Sequence, residues 1–397
     1  MKKQMISTAD VHRLRKELAQ ANTRVLELQK SNEGFLHILG KMREVVFHTD
    51  GSGVCLFIND AWTALTGYAV TSTIGSPLLP FVCQEDHAVL MESLHALIHS
   101  NEQRRSMDIR IIAASGEVRW VEADLFMLAD TRHPFRGIGG TLRDKTEQKV
   151  AEARMSEDLE QAKRVQHSVL SAPISNREIE IDAIYLPSAQ LSGDMYCWYP
   201  ISQHKYGIIL LDVVGHGVSS ALVSMSIRAL LRGLIVRVVD PVKVMQELNK
   251  HIHRLFKEEE QTAVSYVTGI YAVFDTKNRE VEYVNAGHPP AYLYHQGSVQ
   301  ALSEGCIPLG IVDQPPIAKG KKRYLPQTRF IMFTDGLLEM LSPSLQTGRE
   351  QIQTLLIDTD SLENAAFIKR FFPPTAKHAT QDDDVCLISV NLPNGHG

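Results

Sequence analysis

Ile208-Ile209-Leu210-Leu211-Asp212-Val213-Val214-Gly215-His216-Gly217 reads as a buried strand that ends on a carboxylate and runs into a glycine-bracketed turn. The apolar run has the length and the Ile/Leu/Val content of a core strand. It is too short to span a bilayer, and Asp212 breaks it. An unpaired carboxylate in such a run is costly to desolvate, so it needs a hydrogen-bonding neighbour or a metal ion. Aspartates at strand ends also cap turns, and Asp212 alone leaves both readings open. Three further stretches repeat the theme. Ser192-Gly193-Asp194 lies upstream, and Phe330-Ile331-Met332-Phe333-Thr334-Asp335-Gly336 is a second hydrophobic strand ending in Asp-Gly. Near the C-terminus Asp382-Asp383-Asp384 leads into Val385-Cys386-Leu387-Ile388-Ser389-Val390. Four strand ends that each present an Asp point to one shared acidic site. Oxygen ligands without a Cys or His pattern select Mg or Mn over Zn.

The chain has 397 residues, enough for two or three domains, with 44% hydrophobic and 22% charged residues, which excludes global disorder. A formal net charge of -5 argues against a general nucleic-acid binder. The five cysteines, Cys55, Cys83, Cys197, Cys306 and Cys386, are scattered and form no C-x-x-C, so they read as reduced thiols. No apolar signal core opens the chain and no stretch is long enough for a transmembrane helix. The expectation is a cytoplasmic protein with no membrane insertion.

The fold class expected is α+β in four parts. Residues 1–34 form an N-terminal helix with apolar residues at a and d spacing, Val11, Leu14, Leu18, Ala21, Val25 and Leu28, and Asn32 continues the a series. This pattern predicts a two-stranded coiled coil and hence a homodimer, against the alternative of an amphipathic helix packed on its own domain. Residues 35–146 form an α+β module. Strands Val45–Thr49 and Val54–Ile58 flank the hairpin signal Asp50-Gly51, a helix covers Gln84–His99, and strands cover Ser106–Ala113, Glu117–Leu128 and Phe135–Leu142. Residues 147–177 are a charged helical linker with Met155, Leu159, Ala162, Gln166 and Val169 in a stripe, stopped before Pro173. Residues 178–397 alternate strands joined by short turns with separately grouped helices over Val218–Val238, from Pro241, and over Ser361–Phe372. That order indicates an antiparallel sandwich flanked by helices.

Residues 35–146 resemble a PAS sensor domain. The resemblance rests on Phe47-His48-Thr49-Asp50-Gly51, Ile58-Asn59-Asp60-Ala61-Trp62, Leu65-Thr66-Gly67-Tyr68, Gly116-Glu117-Val118-Arg119-Trp120-Val121 and the terminal Asp144-x-Thr146. It implies that Asp144 and Thr146 tie the last strand to the helix that carries the signal outward, and either residue can cap that helix. No cysteine motif of flavin-binding light sensors surrounds Cys55 or Cys83. Haem ligation by His87, His95 or His99, and no cofactor at all, both remain open.

The last domain resembles the PPM family of metal-dependent protein serine/threonine phosphatases, in its SpoIIE-like bacterial branch. The motifs are Glu160-x-Ala162-x-x-Val165-Gln166, Ser192-Gly193-Asp194, Asp212-Val213-Val214-Gly215-His216-Gly217, Asn285-Ala286-Gly287-His288-Pro289-Pro290, Pro308-Leu309-Gly310, Phe333-Thr334-Asp335-Gly336-Leu337 and Asp383-Asp384-Val385. The resemblance implies an α-β-β-α sandwich and two divalent ions, Mn2+ or Mg2+. Asp212 would bridge them with the Val213 carbonyl as a further ligand, Asp194 would hold one ion, and Asp335 and Asp383 the other, with Asp384 the alternative to Asp383. Gly215 and Gly217 allow a tight turn, in which His216 is a turn residue, and Asn285 to His288 shape the wall of the site. Cys197 stands where the family often has an Asp, and Cys386 where it often has Thr or Ser. Both can alter the surroundings of the ligands. The implied activity is signal-regulated hydrolysis of phosphoserine or phosphothreonine on a regulatory protein, a phosphorylated anti-sigma-factor antagonist of the STAS type. The alternative is a non-catalytic sensor scaffold, which has no chemical need for the carboxylate set. A nucleotide cyclase finds no motif here.

The two heptad stripes bracket the PAS-like module, so linker phase should matter. Whole-heptad insertions before Ala162 should preserve regulated phosphatase activity, and insertions out of phase should lock it high or low. A rate series across insertions of about one to seven residues, with dimerisation followed by sedimentation, checks this against a flexible tether, for which the profile would be flat.

Overall fold

The computed structural model describes residues 8–99, 102–128, 137–215, 217–258, 266–359, 362–372 and 383–393. His216, Asp382 and the starts of the strands expected from Phe135 and from Val264 lie outside them, as do the side chains of Val11 and Leu14. The chain divides into two compact units between Met155 and Ser156.

The first unit begins with α1 (Thr8–Lys41), which continues past the expected boundary at residue 34 because no proline interrupts Phe35 to Leu39. Leu18, Val25 and Leu28 are 63%, 52% and 64% exposed, so this part of the apolar stripe lies open to solvent within the single chain. There follow β1 (Val45–Thr49), β2 (Cys55–Ile58), α2 (Ala61–Thr66), α3 (Val70–Thr73), α4 (His87–His99), β3 (Arg104–Ile112), β4 (Val118–Leu128) and β5 (Gly137–Asp144). The strands form one antiparallel sheet in the order β2-β1-β5-β4-β3. The Asp50-Gly51 hairpin is held by Asp50 Oδ1, which accepts from Ser52 N and Val54 N at 2.8 and 2.9 Å. A cavity of about 470 Å³ opens between the sheet and α4, lined mainly by apolar side chains such as Phe47, Leu90, Ile109 and Leu125. His95 and His99 also line it. His87 instead places Nε2 3.0 Å from the Val82 carbonyl. The Asp144-x-Thr146 step works as expected: Asp144 Oδ1 accepts from Thr146 N at 2.8 Å, and Thr146 Oγ1 accepts from Trp120 N at 3.0 Å. The start of the next helix is thereby pinned to β4.

That helix is α5 (Thr146–Ser168). The second unit continues with β6 (Ile174–Ser175), β7 (Glu180–Leu186), β8 (Met195–Ser202), β9 (Lys205–Val213), α6 (Val218–Val238), α7 (Pro241–Glu258), β10 (Val267–Asp275), β11 (Glu280–Ala286), β12 (Ala291–His295), β13 (Ser298–Leu302), β14 (Gly305–Cys306), β15 (Gly320–Arg323), β16 (Thr328–Phe333), α8 (Asp335–Leu341), α9 (Leu345–Asp358), α10 (Asn364–Arg370) and β17 (Val385–Leu392). One sheet runs β14-β11-β10-β9-β8, with β15 also on β11, and the other runs β13-β12-β16-β17-β7-β6. Every pairing is antiparallel except β11 with β14.

Period-two alternation sorts each strand between two cores. In β9, Ile208 and Leu210 join Phe274, Tyr283, Phe330, Met332, Cys386 and Ile388 in the core between the sheets. Ile209, Leu211 and Val213 face the other way, onto Ile227, Leu231, Leu248 and Ile252 of α6 and α7. On the far side, Ile331, Phe333 and Leu387 pack under α8, α9 and α10 through Leu337, Ile352 and Phe367. The result is the expected α-β-β-α sandwich. The sequence reading missed α8 and α9. Asp335-Gly336 was expected as a strand-ending turn, whereas Asp335 opens α8 directly.

Gly336 explains how the ends of β16 and β17 come so close. A Cβ there would overlap the Asp384 carbonyl oxygen and its carbon. Gly336→Ala should therefore destabilise the second unit by about 1–3 kcal/mol or more, measured as a lowered thermal midpoint. An unchanged midpoint would show that the two strand ends yield easily.

Candidate active site

Antiparallel pairing delivers the aspartates to one end of the sandwich. Met195 of β8 pairs with Leu211 of β9, so Asp194, one residue before β8, lies beside Asp212. Phe333 of β16 pairs with Leu387 of β17, so Asp335 and Asp383 fall past the same end of that strand pair. Asp212 shares the strand face of Ile208 and Leu210, which look into the space between the sheets. One carboxylate pair thus comes from each sheet.

The electrostatics follow from this crowding. Burial, and then the charges of Asp335 and Asp383, push the Asp212 carboxyl up to about 7. Burial, followed by the charges of Asp212 and Asp384, holds the Asp194 carboxyl well above the ordinary range. Asp383 is also raised, by burial first, against a hydrogen bond from Asp384 N that lowers it. Like charges in a water-poor site favour protonation or a cation. Asp194 is 2% exposed, and its Oδ2 has no hydrogen-bond partner among the described residues. A buried acceptor with no donor, facing other carboxylates, fits a hard cation. Among the described residues no three His, Cys, Asp or Glu side chains already enclose one point. A site for Mg2+ or a similar ion, which keeps several waters and takes one or two carboxylates, needs no such cage.

Asp384 is placed differently from its neighbour. Its Oδ1 accepts from Ser188 N at 2.7 Å and Ser188 Oγ at 2.9 Å, and its Oδ2 accepts from Gly193 N at 2.9 Å. It braces the loop before Asp194 against β17, while Asp383 stays half-buried at the rim. Gly193 is needed there because a Cβ would stand 2.7 Å from the Val213 carbonyl oxygen. Gly215 and Gly217 have φ of 90° and 89°, the left-handed geometry that the glycine bracket foretold.

Two residues near Asp212 were not assigned to it from the sequence. Thr268 pairs with Asp212 across β10 and β9, and its Oγ1 donates to Asp212 Oδ2 at 3.3 Å. The same oxygen lies 2.9 Å from His288 Nδ1. Thr268 thus stands between the imidazole and the carboxylate. Burial pushes His288 down to about 3, against a hydrogen bond to the Phe333 backbone that raises it, so the ring is neutral. Asn285 fixes the backbone beneath it, with Oδ1 accepting from His288 N at 2.8 Å and Nδ2 donating to His288 O at 3.0 Å. His288 thus reaches Asp212 by way of Thr268. Only a cross-strand register could have named Thr268. Cys197 and Cys386 are fully buried on opposite faces of different sheets, and burial raises both thiols, Cys197 to about 12. They pack as neutral side chains.

Residues 202–393 match the family model described as stage II sporulation protein E (SpoIIE), and residues 34–145 match the PAS fold. The chain thus joins a region that matches the PAS fold to one that matches the SpoIIE model. The phosphoserine phosphatase RsbP of Bacillus subtilis (strain 168) is 40% identical over 183 residues, 46% of this chain and 45% of that protein. The phosphoserine phosphatase RsbU of the same organism is 24% identical over 223 residues, 55% of this chain and 65% of that protein. The chain thus spans less than two thirds of either relative. The SiaA PP2C domain of Pseudomonas aeruginosa superposes with a TM-score of 0.53 at 21% identity, over 61% of this chain and 98% of that one, which establishes the shared fold. PP2C-type phosphatases are metal-dependent. Among the described residues no helix is long and apolar enough to cross a membrane.

The acidic site should make the metal-free protein sensitive to pH. An ordinary Asp titrates near about 4, whereas Asp212 titrates near about 7 in the fold. Between these values the folded state holds a proton that the unfolded chain has released, so stability falls as pH rises. Asp194 and Asp383 act in the same direction. His288, neutral in the fold, opposes this below its unfolded value, so the Asp212 contribution is read as a difference between proteins: in EDTA the change in stability from pH 5 to pH 7.5 should be less favourable in wild type than in Asp212→Asn by about 1–3 kcal/mol, and Mn2+ should stabilise the wild type at pH 7.5. Equal pH profiles in the two proteins would contradict the crowding of the carboxylates.

Proposed function

We propose that this protein is a metal-dependent protein serine/threonine phosphatase under PAS control. The observation that carries the reading is the buried acidic end of the sandwich, where Asp194, Asp212, Asp335 and Asp383 converge and Asp194 Oδ2 has no donor among the described residues. The likeness to two proteins named phosphoserine phosphatases supports it. Asp194, Asp212, Asp335, Asp383 and the Val213 carbonyl would hold two divalent ions, Mn2+ or Mg2+, with Asp212 shared between them. When bound, such ions lower the pKa of water and neutralise charge on phosphoryl oxygens.

The chain's own groups do the rest. Thr268, backed by neutral His288, keeps one oxygen of Asp212 oriented. Asp384 sets the height of the loop that presents Asp194. Without cations the cluster would repel a phosphate dianion, so substrate affinity and metal occupancy are coupled. Gly215 and Gly217 themselves add no side chain to the turn after Asp212. The substrate proposed is a phosphorylated regulatory protein, an anti-sigma-factor antagonist of the STAS type, met in the cytoplasm by a homodimer joined through the exposed stripe of α1.

Phosphate release from a phosphoserine-bearing antagonist, assayed with Mn2+, Mg2+ or EDTA, tests the reading. Asp212→Ala should lower kcat more than about a hundredfold, and Thr268→Val about tenfold. Metal-dependent turnover surviving in Asp212→Ala would refute the site. Turnover of small esters but of no phosphorylated antagonist would refute the substrate.

A further inference from the structure

In α5, Gln166 is the one buried residue among those described, and it is polar. At 4% exposure its amide must find partners inside the fold. It finds both on a single residue. Gln166 Nε2 donates to the Ser192 carbonyl at 2.8 Å, and Ser192 N donates to Gln166 Oε1 at 3.2 Å. A side-chain amide thus pairs with backbone as a neighbouring strand would, using one donor and one acceptor at fixed spacing.

Ser192 is the hinge of the loop that carries Asp194. The Ser192 hydroxyl accepts from Asp194 N at 3.0 Å, and Gly193 N goes to Asp384 at 2.9 Å. Every N–H of the three residues is therefore spoken for, one of them by Gln166. Tyr185 closes the circle, its hydroxyl lying 3.4 Å from Gln166 Oε1 and 3.2 Å from the Asp194 carbonyl oxygen. The segment after Gln166 is tied down as well. Arg228 of α6 donates from Nε and Nη2 to the Val169 carbonyl at 2.8 and 2.6 Å, and Trp198 Nε1 donates to the Ala172 carbonyl at 2.9 Å. Arg228 lies on the helix that follows the Asp212 turn, and Trp198 on the strand that follows Asp194.

We propose that Gln166 is a positioning residue for Asp194: its amide, carried on the linker helix, sets the Ser192-Gly193-Asp194 loop at the height from which Asp194 meets a divalent cation. A shift of α5 along or about its axis displaces the amide from Ser192 and moves that loop, while Asp212 on β9, Asp335 at the start of α8 and Asp383 before β17 are not held by Gln166. Linker position is thereby converted into cation affinity at one carboxylate. Glu in place of Gln lacks the donor for the Ser192 carbonyl, Met lacks both groups, and Asn falls one methylene short.

The inference rests on the metal-dependent reading, and Mn2+ binding separates the two. Free Mn2+ is measured by electron paramagnetic resonance during titration of the full chain at pH 7.5. The proteins are wild type, Asp212→Asn, Gln166→Met, Gln166→Asn and Asn364→Leu. Asn364 provides the control because its buried amide also pairs with backbone, at the Ser389 carbonyl, away from the carboxylates. Gln166→Met should weaken Mn2+ binding about tenfold, and Gln166→Asn should weaken it less. Asn364→Leu should lower the thermal midpoint in EDTA at least as much as Gln166→Met and leave Mn2+ affinity unchanged. Excess Mn2+ should restore kcat in Gln166→Met. Wild-type affinity in both Gln166 variants, or an equal loss in Asn364→Leu, overturns the proposal while the phosphatase reading stands. Should Gln166→Met not fold, Gln166→Asn alone decides by the same criterion. Wild-type protein with no Mn2+ binding dependent on Asp212 removes both readings.

Discussion

The repulsion among carboxylates gathered between two sheets is the constraint on which the second domain depends. Asp212 sits in a strand whose other residues build two hydrophobic cores, so it cannot turn away from its acidic neighbours without breaking the alternation that buries Ile208 to Leu211. The fold therefore holds a concentration of negative charge that is unfavourable by itself and becomes favourable with cations. Such a site trades stability of the bare protein for affinity.

Close backbone approach makes that concentration attainable. Gly336 lets the start of α8 rest on the Asp384 carbonyl, and Gly193 lets the Asp194 loop rest on the Val213 carbonyl. Asp384 spends its charge on Ser188 and Gly193, so one carboxylate of the tandem pair serves as scaffold and the other remains at the rim. Two adjacent residues with the same side chain differ in surroundings because the Ser188 and Gly193 N–H groups meet only Asp384.

Side-chain-to-backbone bonds also fix α5 near both of its ends. The PAS sheet passes its last strand to α5 through Thr146, bonded to Trp120, and α5 reaches the loop of Asp194 through Gln166. Both links are side-chain-to-backbone bonds, which respond to shifts of well under a helical turn. The PAS cavity, largely apolar with two imidazoles at its edge, supplies a place where a small molecule can act on α4 and the sheet.

The apolar runs of β9, β16 and β17, the short turns between strands with helices grouped apart, and the recurrence of Asp at strand ends pointed to an antiparallel sandwich and to a shared acidic site. Those features are local, and local patterns are what a sequence states directly. The span of α6 and the start of α7 were legible for the same reason, the latter from Asp240-Pro241 and the apolar face that follows. The distinction between Asp383 and Asp384 was not legible, because it depends on a loop some 190 residues earlier offering its N–H groups to one of the two, 191 residues from Gly193 to Asp384. Thr268 was likewise an ordinary polar residue until register set it opposite Asp212, and Gln166, a member of the linker motif, had no partner until burial set it against Ser192. Helices α8 and α9 escaped because Asp335-Gly336 has the local chemistry of a turn, and only packing on Ile331, Phe333 and Leu387 makes it the start of a helix. Residue types and spacing decided which chemistry this chain can support. Tertiary structure decided which side chains hold it in place, since a hydrogen bond across the fold leaves no trace in the spacing of either partner.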